Sequence, residues 1–311
     1  MSKRIYKYVG QSYLDKVFSS NENVTLKCSY PKDFNDPYEL FLTIDFNESP
    51  EVLAFYAEAV GELPQLPTTC FSRSPTVIPM WAHYADNLKG FAIEFDEALL
   101  AESFPESGLG DVDYLEEPRE GLKEMLLRAH VIGKPRYVHF LHKGVFNAAY
   151  YTKATCWSYE QERRMIVRES EIRKAGELML MDVPKDCVTA LVSGPRTSAE
   201  TLALVRKKAS QFGCRHFQLK IGRTSAAPFF VDDDGHSYRF SGTEITSSSH
   251  YCSDCKEPTE SEAEKCSWCR IDDSHRNEAA HRNPYRILAQ YGMLDSYIES
   301  VEAIGRKARE K

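Results

Sequence analysis

Short apolar runs, several of them alternating with polar residues, occupy most of the first 245 residues and predict a sheet of short strands. Within Gly90–Phe95 the residues Phe91, Ile93 and Phe95 share one side, as expected of a structure with a period of two. Further strands are predicted at Val24–Cys28, Arg164–Arg168, Leu178–Asp182, Cys187–Ser193, His216–Ile221 and Phe229–Val231. Connections between them are long enough to hold helices.

Apolar residues at helical spacing, with recognisable start and stop residues, predict helices between these strands. Ser49 followed by Pro50 is typical of a helix start. Thr197 and Glu200 form the pattern of a capping box, and Gly213 ends the helix that follows. Two more helices are predicted at Leu122–Val131 and at about 140–155. The class is therefore α+β, with a sheet flanked by helices.

The composition changes after residue 245, where a Ser-rich stretch precedes two cysteine pairs. Cys252-x-x-Cys255 and Cys266-x-x-Cys269 are separated by ten residues, a spacing that places four sulfurs around one zinc ion. Four thiolates leave no open coordination position, so we expect this Zn²⁺ to be structural rather than catalytic. Two redox dithiols are the alternative. The other cysteines are expected to be small buried side chains: Cys28, Cys70, Cys156, Cys187 and Cys214.

A helical tail is predicted after the cysteine pairs. Asn283 followed by Pro284 is typical of a helix start, and apolar residues recur at helical spacing up to Ile304. The predicted domains are 1–245 for the α+β domain, 246–272 for a zinc ribbon and 273–311 for the helical tail. We expect the tail to pack on a core or on a partner protein, such as an antitoxin.

Composition narrows the class of protein. The chain has 42% hydrophobic and 27% charged residues, which excludes wholesale disorder. Its formal net charge of -7 disfavours a generic basic coat for nucleic acid. No apolar run is long enough to span a bilayer, and the first ten residues lack an apolar signal core. These features predict a soluble, cytoplasmic protein with no membrane partner.

Aromatic residues stand beside polar ones in several segments, a mixture that suits a ligand-binding cleft. Each segment also has a purely structural interpretation: Asp36 as a turn cap, Trp81 as a core residue, and Lys7 as a solvated strand residue. The segments are Ile5–Tyr8, Phe34–Glu39, Cys70–Ser74, Trp81–Ala85, and Lys153 together with Trp157–Arg164.

Glu160 and Glu162 are the most informative pair. If the segment is extended, residues two apart project to the same face, and the two carboxylates influence each other's proton affinity. Such a pair can act as an electrostatic stabiliser and a general base. The alternative is a surface strand whose acidic residues pair with the neighbouring Arg163 and Arg164.

Five motifs in order resemble an uncharacterised bacterial family, number 2971 among the domains of unknown function, over about residues 4–240. They are KY near the start, FNDPYE, CFSRS, MWAHYAD with KGFAIEFD, and WSYEQERRMI. The chain also has a more distant likeness to ADP-ribosyltransferases, which carry three separated motifs on a split mixed sheet. In this likeness the first motif is Tyr6-Lys7-Tyr8, with Lys7 where those enzymes normally hold His or Arg. The second is Ser72-Arg73-Ser74 or Tyr84, and the third is Glu160-Gln161-Glu162.

The likeness implies an α+β fold with a split mixed or antiparallel sheet, NAD as substrate, and a nucleic-acid or protein acceptor. Glu162 would stabilise the ribose cation and Glu160 would deprotonate the acceptor. Trp81 or Tyr84 would stack on nicotinamide. The cations that would pair with pyrophosphate are Lys7, Arg73 and Lys153. It also implies a role as a toxin or a phage-defence effector.

Two other functions fit the same residues. A metal-dependent nuclease could assemble its site from Asp96, Glu160 and Glu162, with Lys153 beside them. A non-catalytic adaptor would instead bind a partner through the zinc ribbon and the tail helices, with the motif residues serving the fold.

Overall fold

The structure, a computed structural model, describes residues 3–40, 43–119, 121–260 and 262–309. The chain divides into two compact units, Met1–Ser248 and Ser249–Lys311. The strands are β1 Arg4–Val9, β2 Asn23–Cys28, β3 Thr68–Ser72, β4 Phe91–Asp96, β5 Gly108–Asp111, β6 Asp113–Leu115, β7 Thr152–Ala154, β8 Glu162–Ile166, β9 Arg173–Ala175, β10 Leu178–Pro184, β11 Val188–Ser193, β12 Arg215–Lys220, β13 Phe229–Val231, β14 Ser237–Phe240 and β15 Ile245–Ser247. The helices are α1 Leu14–Val17, α2 Pro50–Val60, α3 Ile78–Tyr84, α4 Glu97–Ser103, α5 Leu122–Ile132, α6 Pro135–Tyr151, α7 Ala199–Phe212, α8 Asp273–Arg282, α9 Pro284–Gln290 and α10 Leu294–Arg309.

A large mixed sheet organises the first unit. Within the described residues it holds ten strands in the order β15-β14-β13-β12-β11-β4-β1-β3-β8-β5. The β11 and β12 strands run parallel, whereas the other neighbours are antiparallel. All six residues of β4 are buried near the centre of this order. The predicted α+β class with a mixed sheet flanked by helices is confirmed.

The sheet separates two hydrophobic cores, and the alternation of β1 decides which residues enter each. Ile5 and Val9 point into one core, which also receives Phe212 of α7. Tyr6 and Tyr8 belong to the other, together with Trp81 of α3. Because side chains of a strand alternate between faces, one short strand supplies both layers.

A third core lies among α2, α5 and α6. Leu126 and Ala129 of α5 meet Leu141 and Val145 of α6 there, and all four are fully buried. This burial uses one face of α6 and leaves the opposite face exposed, as expected of an amphipathic helix.

Several predicted elements shift in the structure. Ser198 caps α7 by accepting a hydrogen bond from the Thr201 amide, so the predicted cap at Thr197 is wrong. The Thr197 hydroxyl instead donates to the backbone oxygens of Lys89 and Gly90. The helix expected at 140–155 begins at Pro135 and ends before a strand. Two further strands, β14 and β15, follow the expected last strand.

The second unit contains the cysteine pairs and the tail. Asp272 caps α8, which begins at the first residue of the helical tail predicted at 273–311. The predicted cap at Asn283 is confirmed, since its side chain accepts from the Tyr285 amide. The tail residues 310–311 lie outside the described part of the chain. Among the described residues, no helix combines the length and apolar character that crossing a membrane requires.

Candidate active site

A cavity of about 190 Å³ lies where β1 and β3 diverge. The two strands pair at Tyr6↔Ser72, whereas β1 pairs with β4 along all six of its residues. Each of the segments singled out in the sequence contributes to its lining, namely Tyr6, Lys7, Tyr8, Phe34, Asn35, Cys70, Phe71, Ser72, Tyr84, Lys153, Glu160 and Glu162. Residues outside those segments also line it: Lys27, Ser29, Thr68, Thr69 and Met80.

The sheet register brings three distant motifs together. Ser72 of β3 is opposite Tyr6 of β1 on one side and Glu162 of β8 on the other. Directly opposed residues in a sheet have close side chains on the same face. Tyr6, Ser72 and Glu162 therefore form a row across three adjacent strands beside the cavity.

Glu160 reaches the cavity by a different path from the extended one expected. It ends a short 3₁₀ helix, Thr155–Glu160, and Gln161 then adopts a left-handed conformation with φ 46° before β8 begins at Glu162. The carboxylates still line one cavity, but the turn at Gln161, rather than strand alternation, sets their relation.

A buried ionic network surrounds these carboxylates. Arg164 binds Glu162 through two contacts, Nε to Oε1 at 2.6 Å and Nη2 to Oε2 at 3.1 Å. The same guanidinium donates to both Glu39 carboxylate oxygens at 2.9 and 2.8 Å. Lys153 Nζ lies 2.7 Å from Glu160 Oε2 and 3.5 Å from Glu162 Oε2. Three carboxylates thus share two cations, and burial raises the pKa of Glu39 above its ordinary value although Arg164 opposes that effect.

This arrangement fixes the charge of Glu162 at neutral pH. Burial alone would raise its pKa, but Arg164 and Lys153 outweigh that effect and lower the pKa of Glu162 to about 2. Burial would likewise lower the pKa of Lys153, but Glu162 and Glu160 raise it above its ordinary value. Glu162 is therefore an anion and Lys153 a cation across the physiological range.

Tyr84 holds the other carboxylate. Its hydroxyl donates to Glu160 Oε1 at 2.6 Å and accepts from Asn35 Nδ2 at 3.0 Å. Burial and the neighbouring Glu160 raise the pKa of Tyr84, so the phenol stays protonated and remains the donor. Asp86 and Asn87 follow α3 with φ 51° and 52°, a left-handed region that these residue types tolerate, and this turn ends the helix after Tyr84.

Lys7 lines the cavity with its amine engaged by β3. Its Nζ donates to Thr69 Oγ1 at 3.0 Å and to the Cys70 carbonyl at 2.8 Å. Burial lowers the pKa of Lys7, which weakens its suitability as a cation for a pyrophosphate. The interpretation of Lys7 as a solvated strand residue is wrong, because its amine bridges the gap between two strands.

Three residues expected at the site are not part of the cavity lining. Trp81 is fully buried, and its indole N–H donates to the Pro75 carbonyl, so it belongs to the core and not to a nicotinamide platform. Arg73 forms ion pairs with Glu97 and Asp111. Ser74 contributes its carbonyl oxygen to the Tyr8 hydroxyl at 2.7 Å.

The nuclease arrangement is not formed by these residues. Asp96 pairs with Arg4, and its Oδ1 accepts from the Ala98 and Leu99 amides at the start of α4. Groups of at least three metal-ligand side chains occur elsewhere in the described part of the chain: the four cysteines, and Asp232, Asp234 and His236.

Sequence reasoning missed the buried partners Glu39 and Arg164. Both stood inside motifs already noted, FNDPYE and WSYEQERRMI, but Arg164 was interpreted as a surface partner. Their pairing joins residues 125 positions apart. The Asp36 turn cap is confirmed, since its Oδ1 accepts from the Tyr38 amide.

The four cysteines of the second unit form a compact metal-ligand group. Their sulfurs lie within 4.8 Å of one another, and Cys255 Sγ is 3.9 Å from Cys266 Sγ. Each pair closes a turn: the Lys256 amide donates to the Cys252 carbonyl, and the Arg270 amide to the Cys266 carbonyl. Such a thiolate group could hold a structural metal such as zinc. Of the scattered cysteines, Cys28 and Cys187 are buried as expected, but Cys156 is exposed.

A serine, a histidine and an aspartate form a second polar chain in the large sheet. Ser193 Oγ lies 2.9 Å from His216 Nε2, and His216 Nδ1 lies 2.8 Å from Asp233 Oδ1. Ser193 is fully buried in β11, so its hydroxyl is closed to a substrate. We interpret this chain as a structural link between β11, β12 and the turn after β13.

Residues 80–165 match a family described as a protein of unknown function (DUF2971). The matched stretch contains Tyr84, Lys153, Glu160 and Glu162, and it supports the resemblance to that family. No curated protein and no solved structure matches the chain.

Proposed function

We propose that the cavity between β1 and β3 is the active site of an NAD-dependent ADP-ribosyltransferase. The observation that carries this proposal is the convergence of three motif segments on adjacent strands, with Glu160 and Glu162 lining one cavity. Tyr6, Tyr84 and Phe34 add aromatic surface to the same cavity, which suits a planar heterocycle.

The cavity size limits what enters it. At about 190 Å³ it is smaller than the roughly 300–1,000 Å³ of pockets for drug-sized ligands. Nicotinamide with part of its ribose is the portion of NAD that we place inside, while the adenosine half lies outside. Lys153 is then the cation on the ribose side, since Lys7 is engaged by β3.

The proposed reaction uses the two carboxylates differently. The bond between ribose C1′ and the nicotinamide nitrogen breaks, and its electron pair leaves with nicotinamide. Positive charge develops on the ribose, and the anionic Glu162 stabilises it. The acceptor's nucleophilic atom bonds to C1′, and its proton passes to Glu160.

Nicotinamide release and transfer of labelled ADP-ribose test this proposal. We expect the full chain to release nicotinamide when NAD is mixed with nucleic-acid or protein fractions. Glu160→Gln and Glu162→Gln should each lower the rate by about 100-fold or more. Glu102→Gln, an exposed change at the end of α4, is the matched control and should leave the rate unchanged.

A milder variant separates chemistry from folding. Tyr84→Phe removes the hydrogen bonds of the hydroxyl to Glu160 and Asn35 and keeps the ring, so we expect a rate loss of about 10-fold with a melting temperature lowered by only a few degrees. If the folded, metal-loaded wild type neither releases nicotinamide nor labels any fraction, the transferase proposal is wrong.

A toxin or defence role is a further proposal that follows from this activity. Expression of the wild-type chain should then slow bacterial growth, and Glu160→Gln should relieve the effect at equal protein level. If Glu160→Gln inhibited growth as strongly as the wild type, the toxicity would not depend on the proposed active site.

Partner binding by the tail is a second proposal, supported by the exposed apolar face of α10. Tyr297, Val301 and Ile304 recur at helical spacing and are 47%, 47% and 65% exposed. The occupant we propose is an apolar helix face of a partner protein, such as an antitoxin. Replacing Val301 and Ile304 with Ser should abolish its co-purification, whereas replacing the exposed Lys207 with Ser should not.

A further inference from the structure

The hairpin of α5 and α6 has the opposite charge to the chain as a whole. Residues 122–151 contain five Lys or Arg residues against a single Glu, a net charge of +4 in a chain of net charge -7. Lys123 pairs with Glu48 outside the hairpin, and the other four cations are Arg128, Lys134, Arg136 and Lys143. Three histidines, His130, His139 and His142, add further hydrogen-bond donors. Positive charge concentrated on one surface of an acidic protein is the electrostatic footprint of a polyanion-binding site.

A groove of about 670 Å³ runs along this surface. One wall is α6, which contributes His139, His142 and Lys143. The other wall is the end of α2 and the segment that follows it, which contributes the carboxylate of Glu62. Leu63 of this wall and Phe146 of α6 give the groove apolar contact area. This volume lies within the roughly 300–1,000 Å³ of pockets that bury a small ligand, so one nucleotide unit fits.

Aromatic residues of α6 stand beside cations from both helices of the hairpin. The guanidinium of Arg136 lies 4.8 Å from the Tyr137 ring centroid, and that of Arg128 lies 5.9 Å from it. Phe140, which is 54% exposed, stands between His139 and Lys143 on the exposed face of α6. Rings beside cations suit a single strand, whose bases stack on aromatic side chains while its phosphates meet Lys and Arg.

We infer that the α6 groove binds single-stranded nucleic acid. Resting on the proposed transferase function, we further infer that this strand is the acceptor of ADP-ribose. We place nucleic acid ahead of an acidic protein because the exposed ring of Phe140, beside these cations, offers a stacking surface for a base.

The groove and the proposed active site share two chain segments. The Tyr150 hydroxyl at the end of α6 donates to the Pro64 carbonyl and accepts from the Leu66 amide. The same chain segment then continues as β3, which lines the active-site cavity. After α6 the chain enters β7, where Lys153 lines that cavity too. The groove walls and the cavity lining are therefore adjacent in the chain at two places, residues 64–68 and 150–153.

Binding of fluorescent single-stranded DNA and RNA oligonucleotides to the full chain, without NAD, tests the groove. We expect salt-dependent binding, with Lys143→Glu weakening it by about 10-fold and lowering the salt slope by about 0.7. Lys207→Glu, an equal charge reversal on the exposed side of α7, should change neither quantity. Equal weakening by both variants would mean that net charge alone acts, and would overturn the inference.

A second variant distinguishes a nucleic acid from other anions. Phe140→Ala should weaken oligonucleotide binding by about 5-fold or more because a stacking surface is lost, and it should leave heparin binding unchanged. If anionic phospholipid vesicles or a polyglutamate peptide bind the wild type more tightly than the oligonucleotides do, the inference is wrong.

Labelling of the bound oligonucleotides with ADP-ribose from NAD distinguishes a failure of this inference from a failure of the proposed function. If oligonucleotides bind through Lys143 but are never labelled from NAD, the groove assignment stands and the acceptor assignment fails with the transferase. If they are labelled equally by the wild type and Lys143→Glu at limiting concentration, the groove is not the acceptor site, although the transferase stands.

Discussion

At the residue scale, the partners of each carboxylate decide its chemistry. Glu162 is held by two contacts to Arg164, which is fully buried and keeps the carboxylate ionised. Glu160 is held by a neutral phenol and by Lys153, without a guanidinium. Two identical side chains two positions apart therefore have different roles in the proposal: a fixed charge at Glu162 and a proton acceptor at Glu160.

Arg164 should be the most costly single residue of the network to remove. Arg164→Met leaves Glu39 and Glu162 buried without their shared cation, so we expect a loss of about 3–5 kcal/mol in the free energy of unfolding. Denaturant titration measures this loss. Arg173→Met, which removes an exposed pair with Asp182, is the control and should cost far less. If the two variants lost similar free energies of unfolding, burial would not be what makes the Arg164 ion pairs important.

The low pKa of Glu162 should appear in the acid stability of the chain. Its pKa is about 2 in the folded state against 4.5 ordinarily, so the unfolded state binds a proton first as the pH falls. The stabilisation is complete above pH 4.5 and is lost as the pH falls towards 2. Urea titrations across this window should show a steeper loss for wild type than for Glu162→Gln. If the free energy of unfolding fell equally with pH in the two proteins, the low pKa assigned to Glu162 would be wrong.

At the element scale, unusual backbone turns bring short elements to the cavity. Gln161 joins a 3₁₀ helix to β8 with φ 46°, and its amide and carbonyl are both bonded, to Ser158 and to Arg73. Leu88, with φ 71°, completes the left-handed turn after α3. Left-handed backbone at a non-glycine residue costs about 1–2 kcal/mol, and such strain is often found beside functional sites.

Substitutions at Gln161 test how much the turn matters. Gln161→Gly relieves the left-handed strain at an exposed side chain, so we expect the melting temperature to be kept or raised. Gln161→Val places a β-branched residue at positive φ and should lower the free energy of unfolding by about 1–2 kcal/mol. Thermal melts measure both. If Gln161→Val melted at a higher temperature than Gln161→Gly, the backbone at this turn would not be strained.

At the scale of the whole molecule, the average composition does not describe every region: the α5–α6 hairpin differs from the chain in charge, and the second unit differs from the first in its apolar content. The net charge of -7 argued against nucleic acid, yet the α5–α6 hairpin concentrates +4 on one surface. The second unit has little apolar core around its cysteines, since of the four only Cys252 is buried. The four cysteines could hold a structural metal, and zinc binding to such thiolates would supply about 10–16 kcal/mol.

Metal content tests the cysteine group directly. We expect about one zinc per chain by elemental analysis, and loss of that zinc in Cys252→Ser or after strong chelation. Hydrogen exchange across residues 250–271 should then become fast, because the turns lose their shared ligand. Cys156→Ser, which changes an exposed cysteine outside the group, should keep the metal. Full zinc content in Cys252→Ser would rule out a four-cysteine site.

Much of the candidate site could be predicted because its residues occur in short, dense motifs. Tyr84, Lys153, Glu160 and Glu162 were all identified from their local sequence, and the structure brings them to one cavity. Trp81 could not be separated from them, because a tryptophan beside polar residues has the same local pattern in a core as in a cleft. Arg73 was misplaced for a similar reason, since its partner Glu97 lies 24 residues away.

The amino-acid sequence by itself determined the α+β class, most strand positions, the helix that ends at Gly213 and the four-cysteine spacing. Each of these depends on interactions between residues that are near in the chain. Only the tertiary structure decided that Arg164 binds both Glu39 and Glu162, that β1 and β3 diverge to open a cavity, and that α6 forms a groove with the segment after α2. These features depend on contacts between segments that are far apart in the chain, where burial and strand register determine which charged groups pair. A local sequence pattern does not contain that information.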